Sequence, residues 1–269
     1  MKRKSSQSEK ADLLKKLHYS KQMLVLPNIW DVAGAALLEE TGYQAVATAS
    51  AAIARANGFQ DGEKIPFDQA LNVITQIVNA VEVPVTADIE SGYATDLQGL
   101  KANIRKVLAT GVAGINIEDS DPKTNELLPV DLQVERIRLI RKVAEKAGVR
   151  LFINARTDVF LKPSSLTNDE KLKVAIERGC AYADAGADGV YPIFVREESD
   201  ISTLVNEFAV PINILITKGT PELSKLQNLG VARVSFGPNF QKAMLLAMKT
   251  SLKNVKDKFS HSHITDMLA

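Results

Sequence analysis

The sequence predicts a (β/α)8 TIM barrel, a closed ring of parallel strands surrounded by helices. Short apolar runs rich in β-branched residues recur along the chain, and amphipathic segments with helical spacing separate them. Glycines follow several of these segments where a helix would end. The runs number eight, as in such a barrel, and 269 residues is a typical length for it. An open doubly wound sheet is disfavoured because no Gly-x-Gly-x-x-Gly motif follows an early strand.

The predicted strands are continuous apolar runs, which is typical of parallel strands buried on both faces. In chain order they cover residues 24–29, 45–50, 83–89, 114–119, 151–157, 189–194, 212–217 and 233–237. They place the barrel core at about residues 22–240. We expect residues 1–269 to form a single domain, because no low-complexity segment or interdomain linker divides the chain.

Apolar residues at three- and four-residue spacing predict the intervening helices. The pattern is clearest over 95–110 and 132–146. Glycines that would end predicted helices stand at positions 42, 111, 148, 186 and 230. Two more helical segments lie outside the barrel, over 8–19 before the first strand and 240–259 after the last. The second begins a C-terminal helical extension of about residues 240–269.

Composition excludes several classes of protein. The 33 basic residues nearly balance the 32 acidic ones, for a net charge of +1, so nucleic-acid binding is not expected. The single cysteine, Cys180, rules out an internal disulfide; it falls in a helical pattern and is predicted to be a small core residue. No apolar run reaches the ~18 residues of a membrane span. The basic segment 1–6 is not followed by an apolar stretch, which favours a cytoplasmic protein over a secreted one.

Charged side chains follow the third, fourth and fifth predicted strands. They are Asp88 with Glu90, Glu118 with Asp119, and Arg156 with Asp158. In this fold active-site groups stand at the C-terminal ends of the strands, so these side chains are predicted to converge on one rim. Other strand ends contribute Asn28, Asp31, Ser50, Tyr191, Lys218 and Asn239. Carboxylate oxygens at such a rim suit a hard ion such as Mg²⁺ or Mn²⁺.

Each of these features has a plainer interpretation. Asp88 and Glu90, two residues apart, would share one side of a strand and repel each other unless a cation lies between them. Without a cation they would be a solvated strand end. Glu118 and Asp119 could cap the next helix, and Arg156 could be a structural partner of the acids.

Other reaction types fit less well. The three histidines, His18, His261 and His263, all fall in terminal segments, which disfavours a histidine-ligated zinc or a Ser-His-Asp triad. Lys218 precedes Gly219 in a loop-like stretch, whereas a Schiff-base lysine would be expected inside a buried strand.

Four segments together resemble the isocitrate lyase/phosphoenolpyruvate mutase superfamily, over most of the chain from Pro27 to near Asn239. Asp88-Ile89-Glu90-Ser91-Gly92-Tyr93 resembles its metal-binding motif, Glu118-Asp119 its acidic pair, Asn154-Ala155-Arg156-Thr157-Asp158 its Ala-Arg-Thr-Asp segment, and Ser50 with Gly58-Phe59-Gln60-Asp61 its substrate loop. The resemblance implies a phosphoenolpyruvate-binding type of barrel.

The resemblance also implies roles for individual residues. Asp88 would ligate Mg²⁺, with Mn²⁺ possible, while Glu90 and Glu118 would hold its waters. Arg156 would be a charged clamp on the substrate, and Asp61 would face the group that is transferred or cleaved. The substrate carboxylate would be held by Ser50 and the neighbouring amides of Ala51 and Ala52, beside Asp88. The shared chemistry is a pyruvate-like enolate whose developing oxyanion the metal stabilises.

The loop after the fourth strand bears on the choice of reaction. Lyases of the superfamily carry a catalytic cysteine there, whereas this chain has no cysteine between Asp119 and Leu127. Lys123 and Asn125 instead resemble the two gating-loop residues of phosphoenolpyruvate mutase, which close over the phosphoryl group. The plainer interpretation is a solvated loop that matches this pattern by chance. Two departures weaken the mutase interpretation: Tyr191 where the mutase has histidine, and Glu90 in place of aspartate.

These observations lead to one main hypothesis with two alternatives. The main hypothesis is a Mg²⁺-dependent enzyme of the phosphoenolpyruvate mutase or phosphonopyruvate hydrolase type, acting on a small anionic 2-oxo acid or phosphonate. One alternative is an oxaloacetate decarboxylase or another C–C lyase of the superfamily. The other is a barrel that binds a metabolite without catalysis. The resemblance further implies a homotetramer in which C-terminal helices are exchanged between subunits, and no nucleic-acid or membrane partner.

Overall fold

The computed structural model describes residues 5–266, and helices alternate with strands along this whole length. Most of the basic N-terminal run lies outside the described residues. The strands are β1 (Leu24–Leu26), β2 (Asn28–Ile29), β3 (Val46–Thr48), β4 (Val85–Asp88), β5 (Gly114–Glu118), β6 (Phe152–Thr157), β7 (Gly189–Pro192), β8 (Asn213–Leu215) and β9 (Arg233–Ser235). The helices are α1 (Gln7–His18), α2 (Val32–Glu40), α3 (Ser50–Ala56), α4 (Phe67–Ala80), α5 (Leu97–Ala109), α6 (Val130–Lys146), α7 (Asn168–Asp184), α8 (Glu198–Glu207), α9 (Leu223–Asn228), α10 (Asn239–Lys258) and α11 (Ser262–Thr265).

All strand pairs are parallel, and the strands follow the order of a (β/α)8 barrel. One sheet runs β2-β3-β4-β5-β6-β7 and the other β1-β9-β8. A single bridge between Val190 and Ile212 joins β7 to β8. The first barrel strand is divided into β1 and β2 at Pro27, which has no N–H to donate to a ladder. Next to this interruption, the side-chain oxygen of Asn28 accepts hydrogen bonds from the Phe236 and Gly237 amides at 2.7 and 3.0 Å. These bonds connect the divided strand to the segment that follows β9.

Within the described residues the predicted elements are all present, and most differences are at their ends; residues 267–269 of the predicted C-terminal extension lie outside the described residues. The helix predicted over 95–110 is α5, which begins after the N-cap Asp96, whose side chain accepts a hydrogen bond from the Gly99 amide at 2.7 Å. The helix predicted over 132–146 begins at Val130 as α6. The five glycines predicted to end helices, at positions 42, 111, 148, 186 and 230, all have positive φ. These glycines therefore act as predicted, because a residue with a Cβ would be strained there.

Helix α1 closes the N-terminal end of the barrel. The side chain of Leu14 packs so closely over β5 that a Cβ at Gly114 would lie 2.8 Å from its Cδ2 atom. His18 is buried and stacks on Phe152, the first residue of β6, with 3.9 Å between ring centroids. The opposite, C-terminal end of the strands is therefore the end that can receive a ligand.

The long helix α10 leaves the barrel with much of its apolar surface uncovered. Its large exposed apolar residues are Phe240, Met244, Leu245, Leu246, Met248, Leu252 and Val255. Within residues 5–266, no helix is both long enough and apolar enough to cross a membrane. Cys180, predicted to be a core residue, is only partly buried on α7.

Candidate active site

Arg156 lies at the centre of the C-terminal rim between two carboxylates. It is paired in the sheet register with Glu118 of β5, and its Nη1 lies 2.6 Å from Oε2 of that residue. Its Nε donates to Oδ1 of Asp158 at 2.6 Å. Burial alone would lower the pKa of Arg156, but Glu118 and Asp158 outweigh it and raise the pKa well above its usual value. The guanidinium is therefore charged and fixed in position.

Asp88 ends β4 and is oriented by α3, the helix that follows the neighbouring strand β3. The backbone amide and the hydroxyl of Ser50, the first residue of α3, donate to Oδ2 of Asp88 at 3.2 and 2.7 Å. The Asp88 amide in turn donates to the Thr48 hydroxyl at 3.0 Å. These bonds hold the carboxylate against the start of α3, where it faces the centre of the rim.

Glu90 is not on the same side of a strand as Asp88, so that expectation is wrong. Strand β4 ends at Asp88, and Glu90 has a φ of 52°, in the left-handed region. Its carboxylate is buried and accepts hydrogen bonds from the Tyr93 hydroxyl at 2.8 Å and the Glu63 amide at 2.6 Å. Burial raises the pKa of Glu90 to about 7; Asp88 and Asp61 add to the rise, while the Tyr93 hydroxyl opposes it.

Glu63 stabilises this turn, and the sequence did not mark it as a site residue. Its Oε1 accepts hydrogen bonds from the Ser91 hydroxyl at 2.5 Å and the Tyr93 amide at 2.7 Å. Gly92 is required in the same turn, because φ is 89° and a Cβ there would lie 2.7 Å from the Leu100 Cδ1 atom. The only feature of the sequence that points to Glu63 is its position, two residues after Asp61 in the loop that resembles the substrate loop.

Asp119 is a structural residue, and the interpretation of it as a helix cap is wrong. It is fully buried, and its Oδ2 accepts hydrogen bonds from the Tyr182 hydroxyl at 2.7 Å and from Arg178 Nη1 at 2.9 Å. Its Oδ1 accepts a hydrogen bond from the Asp158 amide at 2.9 Å. Burial raises the pKa of Asp119, while Arg178 opposes the shift. Asp119 thus ties α7 to the strand end that carries Arg156.

Two adjoining cavities at the rim, of about 310 and 300 Å³, share Ser50, Asp61, Arg156 and Leu161 among their lining residues. The predicted site residues that line one or both are Ser50, Ala51, Asp61, Asp88, Glu90, Glu118, Asn125 and Arg156. Burial raises the pKa of Asp61, and Asp88 adds to the rise. Two predicted residues do not line either cavity. Ala52 is fully buried with its carbonyl bonded to Gln241, and Lys123 is exposed and lines a neighbouring cavity.

The loop between β5 and α6 is ordered by its own backbone and by a lysine from the next strand end. Ser120 and Leu127 form an antiparallel bridge across it. Asn125, with a φ of 61°, accepts a hydrogen bond at its side-chain oxygen from Lys162 Nζ at 2.6 Å. Lys162 lines the same cavity as Arg156, although the sequence did not mark it as a site residue.

Tyr191 and the later strand ends complete the rim. Tyr191 is buried on β7 opposite Arg156, and burial raises the pKa of its hydroxyl to about 12. It therefore offers a neutral phenol to the rim. Lys218 is exposed in the loop after β8, and the side-chain nitrogen of Asn239 donates to the Ile216 carbonyl at 2.8 Å.

The acidic residues of the rim have the donor chemistry of a magnesium site. Burial raises the pKa of Glu118 well above its usual value, and Asp158, Asp88 and Glu90 add to the rise while Arg156 opposes it. In the described part of the chain, no three His, Cys, Asp or Glu side chains are grouped so as to enclose a metal by themselves. Mg²⁺ commonly binds one or two carboxylates and keeps several waters, so Asp88, Glu90 and Glu118 suit it better than an ion that needs a complete protein cage.

Comparison with known proteins identifies the family of the chain. A family model described as Phosphoenolpyruvate phosphomutase matches residues 14–256. A crystal structure of a proposed phosphonomutase from Burkholderia cenocepacia J2315 is 38% identical, spans 94% of this chain and 100% of that one, and has a TM-score of 0.87.

Two curated relatives have different activities. The 2-methylisocitrate lyase of Bacillus subtilis is 28% identical over 78% of this chain and 68% of its own length. The oxaloacetate decarboxylase of Pseudomonas fluorescens is 27% identical over 90% of this chain and 82% of its own length. Both of these relatives are enzymes, as is the family whose model matches, so the hypothesis of a non-catalytic barrel is set aside. Fold, rim residues and family match together show that the chain is an enzyme of the phosphoenolpyruvate phosphomutase family, within the isocitrate lyase/phosphoenolpyruvate mutase superfamily.

Proposed function

We propose that the protein is a Mg²⁺-dependent enzyme that breaks or rearranges the bond next to the pyruvyl unit of a small 2-oxo acid. The observation that supports this most is the placement of Arg156, in a cavity that also exposes Ser50 and Asp88. A fixed guanidinium beside a hydroxyl and an acidic cluster suits a ligand that carries a carboxylate and develops an enolate.

In this proposal the chain's own residues hold the pyruvyl carboxylate. Arg156 supplies positive charge, and the Ala51 amide at the start of α3 supplies a hydrogen-bond donor, while Ser50 holds the Asp88 carboxylate beside it. Because Arg156 is held by carboxylates on two sides, it does not have to reorganise when the ligand enters. The neutral Tyr191 phenol lines the same cavity and offers a further donor.

The metal in this proposal would be held by Asp88, with Glu90 and Glu118 positioning its waters. Its chemical contribution would be Lewis-acid stabilisation of negative charge as it develops on the enolate. Burial raises the pKa values of Glu90 and Glu118, and neighbouring carboxylates add to the rise; a cation there would relieve that repulsion.

The choice between C–P and C–C chemistry depends on what faces the far end of the substrate. Asn125, which resembles a phosphoryl-binding residue of the mutase, lines the cavity beside Asp61, and the 38%-identical relative is a proposed phosphonomutase. We therefore favour phosphonopyruvate, as in a mutase or hydrolase. Oxaloacetate is the second candidate, because Lys123 lies outside the cavity and a curated relative is an oxaloacetate decarboxylase.

The experiment is a phosphorus-NMR assay of phosphonopyruvate with enzyme and Mg²⁺, beside a pyruvate-release assay with oxaloacetate. Phosphoenolpyruvate as product would support a mutase, and inorganic phosphate a hydrolase. Pyruvate released from oxaloacetate faster than by the metal alone would support the decarboxylase. If neither compound is consumed, the proposed substrate class is wrong.

We also propose that the exposed apolar face of α10 is covered by further copies of the chain, as in the expected homotetramer. An uncovered face of this size, with Met244, Leu246 and Leu252 each 49% exposed or more, is uncommon on a monomer. Light scattering after size-exclusion chromatography measures the mass directly. A monomer at micromolar concentration would contradict the proposal.

A further inference from the structure

Lys162 places a second cation in the cavity that contains Arg156. It lies in the turn after β6, where its amide donates to the Asp158 carbonyl at 3.0 Å. Its side chain is 13% exposed, and its ammonium donates to the Asn125 side-chain oxygen at 2.6 Å. The same cavity is lined by Glu118 and Arg156, so Lys162 faces the proposed substrate position.

The positive charge of Lys162 is less fully matched by protein groups than that of Arg156. The nearest carboxylate oxygen, Asp158 Oδ2, is 4.0 Å away and already accepts the Ser120 hydroxyl at 2.5 Å. The other oxygen of Asp158 accepts from Arg156. An ammonium has three donors, and the short bond of Lys162 is to a neutral amide. Lys162 can therefore donate to an anionic ligand without breaking its bond to Asn125.

The three other lysines that line the rim cavities or the neighbouring cavity are less suitable for this role. Lys123 is exposed and lines the neighbouring cavity, beside Asp121 and Arg136. Lys64 and Lys242 line the rim cavities, but both are exposed. Lys162 differs because it is largely buried and its ammonium is held in place by another loop.

We propose that Lys162 is a specificity-determining residue that binds the distal anionic group of the substrate, the phosphonate or second carboxylate. The inference depends on the proposed function, in which the pyruvyl end lies against Arg156 and Ser50. The family resemblance implied that Lys123 would bind the phosphoryl group, and the inference gives that role to Lys162. Because Lys162 also holds Asn125, a ligand bound by both residues would contact two loops at once.

The test compares two ligands that share one end, by titration calorimetry in the presence of Mg²⁺. Oxalate resembles only the pyruvyl enolate end of the substrate, whereas sulfopyruvate carries a distal sulfonate in addition to its pyruvyl end. In Lys162→Gln a neutral donor remains for Asn125, in Lys162→Arg the charge remains, and Lys123→Met is the matched control. Thermal unfolding of each variant checks that the fold is intact.

We expect Lys162→Gln to weaken sulfopyruvate binding about 10- to 100-fold, the worth of one charge-assisted hydrogen bond. Oxalate affinity should change less than about twofold, Lys162→Arg should recover much of the loss, and Lys123→Met should change neither ligand. Equal losses for both ligands, or an unchanged affinity for sulfopyruvate, would overturn the assignment of Lys162. A wild-type enzyme that binds neither ligand would instead overturn the proposed function, and this inference with it.

Discussion

The Arg156 guanidinium and the Glu118 carboxylate form an ion pair across adjacent strands, with 2.6 Å between Nη1 and Oε2. Because both side chains are more than four-fifths buried, removing one partner leaves the other as an uncompensated buried charge. We expect Arg156→Met to lower the free energy of unfolding by about 3–5 kcal/mol, measured by urea denaturation. Arg156→Lys should retain much of the stability but lower kcat/KM, because a lysine cannot donate to both carboxylates in the same geometry.

The matched control is Arg150→Met. Arg150 forms an ion pair with Asp12, but its side chain is 71% exposed, so solvent screens the interaction. This substitution should change stability by less than about 1 kcal/mol. If the two substitutions lowered the free energy of unfolding equally, the buried pair of Arg156 and Glu118 would stabilise the fold no more than an exposed pair, which would contradict the prediction.

The magnesium proposal predicts a loss of metal affinity in Asp88→Asn. Asparagine keeps an oxygen that can accept the Ser50 hydroxyl, so the change removes charge and little else. We expect Mn²⁺ binding, followed by electron paramagnetic resonance, to weaken at least about tenfold, because hard divalent ions depend on carboxylate charge.

Asp68→Asn is the control for this measurement, since Asp68 is 79% exposed on α4 and forms an ion pair with Lys106. Its Mn²⁺ affinity should equal that of the wild type. Treatment with a chelator should abolish turnover reversibly. Full activity after metal removal would contradict the role assigned to Asp88.

The fold could be predicted because its signals are local. A buried parallel strand such as β5 is a short apolar run, and a glycine such as Gly111 marks the helix end before it. Asp88 and Arg156 could be predicted for a related reason: both stand at strand ends, and parallel strands bring those ends to one rim.

Residues held by loop-to-loop contacts could not be predicted in the same way. Glu63 bonds to Ser91, 28 positions away, and Lys162 bonds to Asn125, 37 positions away. No local pattern reports such pairs, because the loops meet only after the barrel has formed. The backbone conformation of Glu90 could not be predicted either. The alternation of a strand would place its side chain on the same side as that of Asp88, but the left-handed conformation of Glu90 directs it elsewhere.

The buried triad of Asp119, Arg178 and Tyr182 predicts a stability effect separate from catalysis. Asp119→Asn would leave the Arg178 guanidinium without its carboxylate, 2.9 Å away in the wild type. We expect a loss of about 3 kcal/mol in the free energy of unfolding. Tyr182→Phe removes the hydroxyl that donates to the same carboxylate and accepts from Arg178 Nη1, but it leaves the ion pair in place and should cost about 1–2 kcal/mol.

The measurement is urea denaturation of both variants, with kcat recorded per folded molecule at low temperature. Since Asp119 lies outside the rim cavities, the ligand affinity of the folded fraction should change little. A variant that kept full stability but lost activity would place Asp119 in the chemistry and contradict this interpretation.

His18 predicts an acid-dependent loss of stability at the closed end of the barrel. Burial and the nearby Arg233 lower its pKa to about 3, whereas an unfolded histidine titrates near ~6.5. Between these values the unfolded chain binds a proton that the folded chain does not, so stability rises with pH. The contribution of His18 to the free energy of unfolding is complete above about pH 6.5, and it is lost at about 1.4 kcal/mol per pH unit as the pH falls towards the folded pKa.

The measurement is urea denaturation at about pH 7, 6 and 5. The free energy of unfolding should rise with pH, and His18→Phe should reduce this slope by up to one proton while preserving the stack on Phe152. His261, exposed near the C-terminus, supplies the control, since His261→Phe should leave the slope unchanged. An identical pH slope in wild type and His18→Phe would mean that His18 accepts its proton in the folded barrel, which its burial against Phe152 argues against.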